Sequence, residues 1–244
     1  MSDGAVNAGA VHTLLQASRC AVQQHVLGGL LHDLNGPLNN IALTLALLSA
    51  TVAREVAASP GDAGVQRLVR HAGTLETELR RLTACSHAMS SVLHAEGAGP
   101  EPVVLHDMAL EVQRQLRHHA AMHEITLDAT GEADGTAVDA DRDMLRFALL
   151  ALVLALCGVC APGARVALDA RRRGDDDVVR ISARPATLSD AGRAAFDSAV
   201  VSPPSEWLHL VAGRAAATAQ GALVSLASGE RDEVVIEVAL RARR

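Results

Sequence analysis

The segment running from His32 through Asp33, Leu34, Asn35, Gly36 and Pro37 to Ile41 concentrates the residues able to do chemistry. Imidazole, with a reference pKa of about 6.5, is largely neutral near neutral pH and offers a ring-nitrogen lone pair for attack on phosphorus. Asp33 follows directly, where a carboxylate orients the ring and takes its proton as the new bond forms. Asn35, on the opposite flank, can hydrogen-bond a phosphoryl oxygen.

Those side chains need a scaffold that presents them. From about residue 10 to 57 the only proline is Pro37, and Leu27, Leu31, Leu34, Leu38, Ile41, Leu45, Leu48 and Val52 recur at steps of three and four. That spacing predicts one long amphipathic helix with those residues as its buried stripe. At about 100° per residue, His32 falls about 150° from the stripe and meets solvent. Pro37 removes a backbone hydrogen bond and crowds the preceding turn at a cost of about 3 kcal/mol or more, so either a functional kink or a plain bend is expected there.

Leu43 and Leu47 also fall far from the stripe, with Gly29, Gly36, Asn39, Ala46 and Ala50 on or beside the His32 face. Small residues around exposed leucines form an apolar landing surface for a partner protein.

Ser59, Pro60, Gly61 and Asp62 break the helix. A second run at Val65, Leu68, Ala72, Leu75, Leu79, Leu82, Met89 and Leu93 predicts a second helix, antiparallel to the first. One hairpin leaves a stripe uncovered. Pairing two hairpins in a homodimeric four-helix bundle covers it, and packing against the chain's own second half is the alternative.

Residues 98–102 read as a linker, separating a helical hairpin at 1–97 from a second domain at 103–244. In the second domain, helices are expected at 106–119, 141–157 and 205–220, and strands at 124–129, 136–139, 165–170, 178–183, 222–226 and 234–240. The fold class is therefore α+β, a helical hairpin followed by an α/β sandwich with helices on one face of a sheet.

His32, Asp33, Pro37 and Leu38 inside a helical hairpin resemble the H-box of sensor histidine kinases. The resemblance implies dimerisation through the hairpin, His32 as phosphoacceptor, and response-regulator receiver domains as partners, with a hybrid histidine kinase as a further one. Gly36 stands where the family usually has Asn or Thr, a residue associated with dephosphorylating the partner. The second half is similar in element order to the kinase ATP-binding domain, and residues 138–150 resemble the lead-in to its N-box.

The family's two N-box asparagines are replaced by Ala151 and Ala155, and alanine offers magnesium no oxygen. Residues 181–187 lack the aspartate and glycines of the adenine-reading box, and residues 202–209 lack the second glycine box, so no phosphate cradle remains. The chain thus resembles dimeric histidine phosphotransferases built from a kinase bundle and a degenerate ATPase domain. That resemblance implies a phosphorelay carrier with no cofactor of its own, the receiver supplying Mg2+. A kinase with an unorthodox ATP site and a non-catalytic receiver-binding adaptor are the competing readings.

Other features set bounds. A formal charge of −6 and three aromatic residues argue against nucleic acid. The N-terminus lacks a signal-peptide pattern, and the longest uncharged apolar run, residues 147–161, is too short to span a bilayer, so a cytoplasmic protein without membrane partners is expected. Cys157 and Cys160 form a CxxC at the end of an apolar helix, the place for packing more than for redox or metal chemistry. His118, His119 and His123 read as surface histidines, His25 as exposed beside His32, and the charges from Arg171 to Asp177 as a solvated hairpin.

Overall fold

The computed structural model describes residues 3–57, 70, 71, 73–75, 77–80, 82, 99–131, 137–197, 203–228 and 232–243. The expected turn at 59–62, and Val65, Leu68, Ala72, Met89 and Leu93 of the second stripe, lie outside the described residues. Two compact units are present: residues 27–94 form one, and residues 1–26 join 95–244 in the other.

In the first unit, helix α1 (Asp3–Ala57) begins earlier than the apolar pattern suggested and continues through Pro37. Described residues between 70 and 82 are helical. Thr44 and Glu78 are buried, Ile41, Leu48, Leu75 and Leu82 are half-buried, and Asn40 Nδ2 donates to Glu78 Oε1 at 3.4 Å. The expected stripe is corrected here: Leu38 is 47%, Leu45 50% and Leu79 58% exposed. On α1 the seam runs through positions 37, 41, 44 and 48. A helix turned by a fraction of a step exchanges which member of an i, i+3, i+4 set faces its neighbour.

The second unit holds β1 (Pro100–Val104), α2 (Leu105–Met122), β2 (Thr126–Gly131), β3 (Ala137–Asp141), α3 (Arg142–Cys157), β4 (Cys160–Arg173), β5 (Asp176–Ala186) and α4 (Asp190–Asp197). A 3-10 turn (Ser205–Trp207), α5 (Leu208–Ala219), β6 (Leu223–Ser228) and β7 (Val234–Arg241) complete it. A mixed sheet runs in the order β2, β4, β5, β7, β6, with β2 parallel to β4 and the other neighbours antiparallel.

Alternation along β4 decides the layers. Ala164, Val166, Leu168 and Ala170 are fully buried beneath the helices, while Arg165, Ala167, Asp169 and Arg171 face the other way. On that second face Asp169, Arg180 and Glu237 stand in register across three strands, and Arg173 pairs with Glu237 at 2.8 Å. Helix α3 is buried almost all round, as an uninterrupted apolar sequence demands. Asp141 caps it, its carboxylate accepting from the Met144 N–H at 3.0 Å. Gly213 lets α5 press close, since a Cβ there would come within 2.8 Å of Leu152 Cγ.

Four expectations are corrected in this unit. Residues 100–104 are not linker but β1, antiparallel to β3, with Pro100 and Pro102 opposite Asp141 and Asp139. Alternate prolines suit a two-stranded ribbon because their missing N–H groups fall on the side that has no partner strand. The apolar run 147–161, whose composition by itself suggests one buried helix, is helical only to Cys157, in keeping with the helix expected at 141–157, because Gly158 caps α3 and Cys160 opens β4. The helix expected at 205–220 opens with the 3-10 turn, and α4 was not anticipated. Asp177, read as solvated, is fully buried and paired with Arg172 at 2.9 Å across the turn formed by Gly174, whose φ of +66° suits glycine.

Helix α2 is tied to α3 by charge. Buried Arg146 contacts Glu111 at 3.0 Å and Asp143 at 2.6 Å, and Arg142 reaches Glu111 at 2.8 Å. Burial pushes the Glu111 carboxyl up, but hydrogen bonds and charge from Arg146 and Arg142 outweigh it and hold the group below its ordinary 4.5. A carboxylate depressed on folding contributes stability above its unfolded pKa, and this is lost as pH falls from 4.5 through the lowered folded value. Glu111→Gln should therefore cost about 1–3 kcal/mol in urea unfolding at neutral pH. That deficit should shrink on acidification through this window.

Candidate functional site

Two places concentrate chemistry, one in each unit. The first is the middle of α1. Backbone from residue 29 to 50 is helical without a break, although Pro37 leaves the carbonyl four residues earlier without its usual donor. The side chains of His32, Asp33 and Asn35 lie outside the described residues, as do the side chain of His25 and the surroundings of Gly29. On the same stretch Gly36, Asn39, Leu43, Ala46, Leu47 and Ala50 are all exposed, Leu43 at 62% and Leu47 at 47%. Leu34 and Pro37 are half-buried. The solvent side of α1 is thus a strip of small residues flanked by two outward leucines, backed by the seam through Thr44 and Glu78.

The second place is a cavity of about 390 Å³ in the α/β unit. Its floor is the C-terminal turn of α3, with Leu154 and Ala155, and its far wall is the 3-10 turn carrying Glu206 and Trp207. His119 and His123, at the end of α2, border it with ring centroids 4.6 Å apart, and among the described residues no group of three His, Cys, Asp or Glu is placed to hold a metal. Ser18 of α1, fully buried, lies 3.3 Å from Nδ1 of His209, another residue of the cavity wall. Sequence reading singled out Ala155 but not this cavity, because its walls come from three separate parts of the chain.

A kinase-type nucleotide site would need oxygen ligands and a glycine cradle here. Ala151 is wholly buried and Ala155 presents a methyl to the cavity. Trp207 stands where the second glycine box was sought, and its indole packs on Gly192 of α4 so tightly that a Cβ there would lie 2.7 Å from Cη2. Such residues do not fit Mg2+ or a triphosphate.

Cys157 is buried, and burial, with Cys160 adding charge repulsion, pushes its thiol up to about 12; burial raises Cys160 to about 11. Both are poor nucleophiles, since the thiolate is the reactive form. Brief alkylation of the folded protein near neutral pH should modify exposed Cys20 and leave Cys157 and Cys160 unlabelled until denaturant is added, as read by peptide mass spectrometry.

No protein-family model matches the chain, and no curated protein sequence matches it. Among the described residues no helix is long and apolar enough to cross a membrane. Solved structures are similar. The catalytic domain of histidine kinase ThkA, in two nucleotide-free crystal forms, superposes with TM-score 0.51 at 14% identity, covering 59% of this chain and 95% or 97% of that one. The Acinetobacter baumannii histidine kinase AdeS covers 82% of this chain and 96% of its own at 13% identity, with TM-score 0.48. At such identities the ThkA match bears on fold alone: the mixed sheet with its helices is similar in fold to a histidine kinase catalytic domain.

Proposed function

We propose that this chain is a histidine phosphotransferase of a two-component phosphorelay, carrying a phosphoryl group on His32 between receiver-domain aspartates. The observation that carries the reading is the pairing of an H-box sequence on α1 with a kinase-type α/β unit that has Ala151 and Ala155 in place of magnesium-ligating asparagines.

In the forward step a neutral His32 ring nitrogen attacks the phosphorus of a receiver aspartyl phosphate. The P–N bond forms as the P–O bond to the aspartate breaks, the aspartate leaves as a carboxylate, and the imidazole proton passes to Asp33 or to water. Asn35 steadies a phosphoryl oxygen. Mg2+ belongs to the receiver's acidic site, where it offsets charge on the transferring group. Reversal on a second receiver delivers the phosphoryl group onward. Exposed Leu43 and Leu47, with Gly29, Gly36, Asn39, Ala46 and Ala50, form the receiver's landing strip. Leu38 and Leu45, left outside the hairpin seam, support a homodimer in which two hairpins cover each other.

Incubation with a phosphorylated receiver should transfer label to the protein, and His32→Ala should abolish it. Persistent labelling of that variant would remove His32 from its role.

The fold comparison fits an ATP-dependent kinase equally well, so ATP decides between the two. A nucleotide binder is stabilised by about 2.7 kcal/mol at a hundredfold excess over Kd. Thermal unfolding with and without Mg2+-ATP should show no shift. A saturable rise in Tm, with autophosphorylation of His32, would favour the kinase.

A further inference from the structure

His119 and His123 stand four residues apart at the end of α2, so their side chains rise from one face of the helix. The backbone holds that spacing. The His123 N–H donates to His119 O at 3.3 Å and to Ala120 O at 3.1 Å, and the Ile125 N–H returns to Ala120 O at 2.8 Å. The two rings have centroids 4.6 Å apart and are tilted by 49°, so they do not stack face to face. A metal–nitrogen bond is about 2.1 Å and a ring centre lies about 1.2 Å behind its nitrogen, so two imidazoles on one ion at about 90–110° have centroids roughly 4.6–5.3 Å apart. The rings therefore stand at chelating distance, on the i, i+4 spacing by which helices hold zinc.

Their surroundings suit a cation. Both rings border the 390 Å³ cavity where α2 and α3 end, and each helix brings the negative end of its dipole there. Glu206 on the far wall adds a carboxylate. Metal binds the neutral imidazole, so these histidines count as ligands and not as positive charge. His209, the third imidazole of the wall, has its Nδ1 3.3 Å from Ser18 Oγ, and among the described residues no third His, Cys, Asp or Glu is placed to join the pair.

We propose that His119 and His123 chelate one divalent transition-metal ion, with water filling its remaining positions. Imidazole nitrogen suits Cu2+, Ni2+ and Zn2+, whereas Mg2+ asks for oxygen. This assignment stands independently of phosphotransfer at His32.

Trp207 lines the same cavity and is the sole tryptophan, so its emission reports a quenching ion bound there. Titration of the whole, untagged, metal-free chain with Cu2+ should quench that emission saturably, with one ion per chain. Calorimetry should give Ni2+ and Zn2+ weaker binding than Cu2+, and Mg2+ none. His119→Gln and His123→Gln should each weaken Cu2+ about tenfold or more, because a lost arm forfeits the chelate's effective concentration. The double variant should show no saturable quenching, and His118→Gln, outside the cavity wall, should bind as the parent does. Circular dichroism checks that each variant is folded. Without any variant, electron spin-echo spectroscopy of the parent Cu2+ complex should count two equatorial imidazoles. The proposal is overturned by absent saturable binding, by Mg2+ displacing Cu2+, by unchanged affinity in the double variant, by an equal loss in His118→Gln, or by an imidazole count other than two.

Discussion

Helix α3 is a constraint that the rest of the α/β unit obeys. Between Phe147 and Cys157 its side chains are apolar on every face, so a single neighbour cannot satisfy it. The sheet covers one side and α5 the other, and Gly213 lets the two helices approach closely enough to close the layer. Its two ends are then set: Asp141 caps the start, and Gly158 ends the helix so that β4 can begin at Cys160. That ending opens the cavity. Side chains at the last turn of α3 have no helix beyond them, and the 3-10 turn with Trp207 forms the opposite wall.

Charge acts at the margins of this arrangement. Arg146 is almost wholly buried, which would be prohibitive alone, and Glu111 and Asp143 meet it from two helices. The same logic holds at the β4–β5 turn, where Arg172 covers the buried Asp177 carboxylate. In both places burial of one charge is made tolerable by a partner that keeps some exposure to water.

Helix α1 answers to two demands. Its first part, through Leu14, Ser18, Val22 and Val26, is buried within the α/β unit, and its later part forms the hairpin seam. The exposed leucines on the later part have no partner within the described chain, and a protein that displays them in water gives up favourable burial unless something covers them. Under the proposed function a second hairpin covers one flank and a receiver visits the other. One continuous helix would then join the phosphoryl-bearing segment to the degenerate catalytic fold.

Element order after residue 103, apart from the unanticipated α4, was legible in the sequence because alternation and three-four spacing are local properties of a chain. The spacing of His32, Asp33 and Pro37, on which the resemblance to an H-box rests, was legible for the same reason, since the three stand within one stretch of helix. That alanine at 151 and 155 offers no oxygen to a metal could be read without coordinates, because a missing oxygen is a fact about residue type. Tertiary structure alone decided the rest. Leu38, Leu45 and Leu79 share the spacing of buried residues, yet the rotation of each helix put Thr44 and Glu78 inside instead. Pro100 and Pro102 carry the signature of a linker, and only pairing with Asp141 and Asp139 made them a strand. The cavity beside Trp207 is the clearest case, because residues from α2, α3 and the 3-10 turn meet only after packing, and no local pattern encodes a space between them.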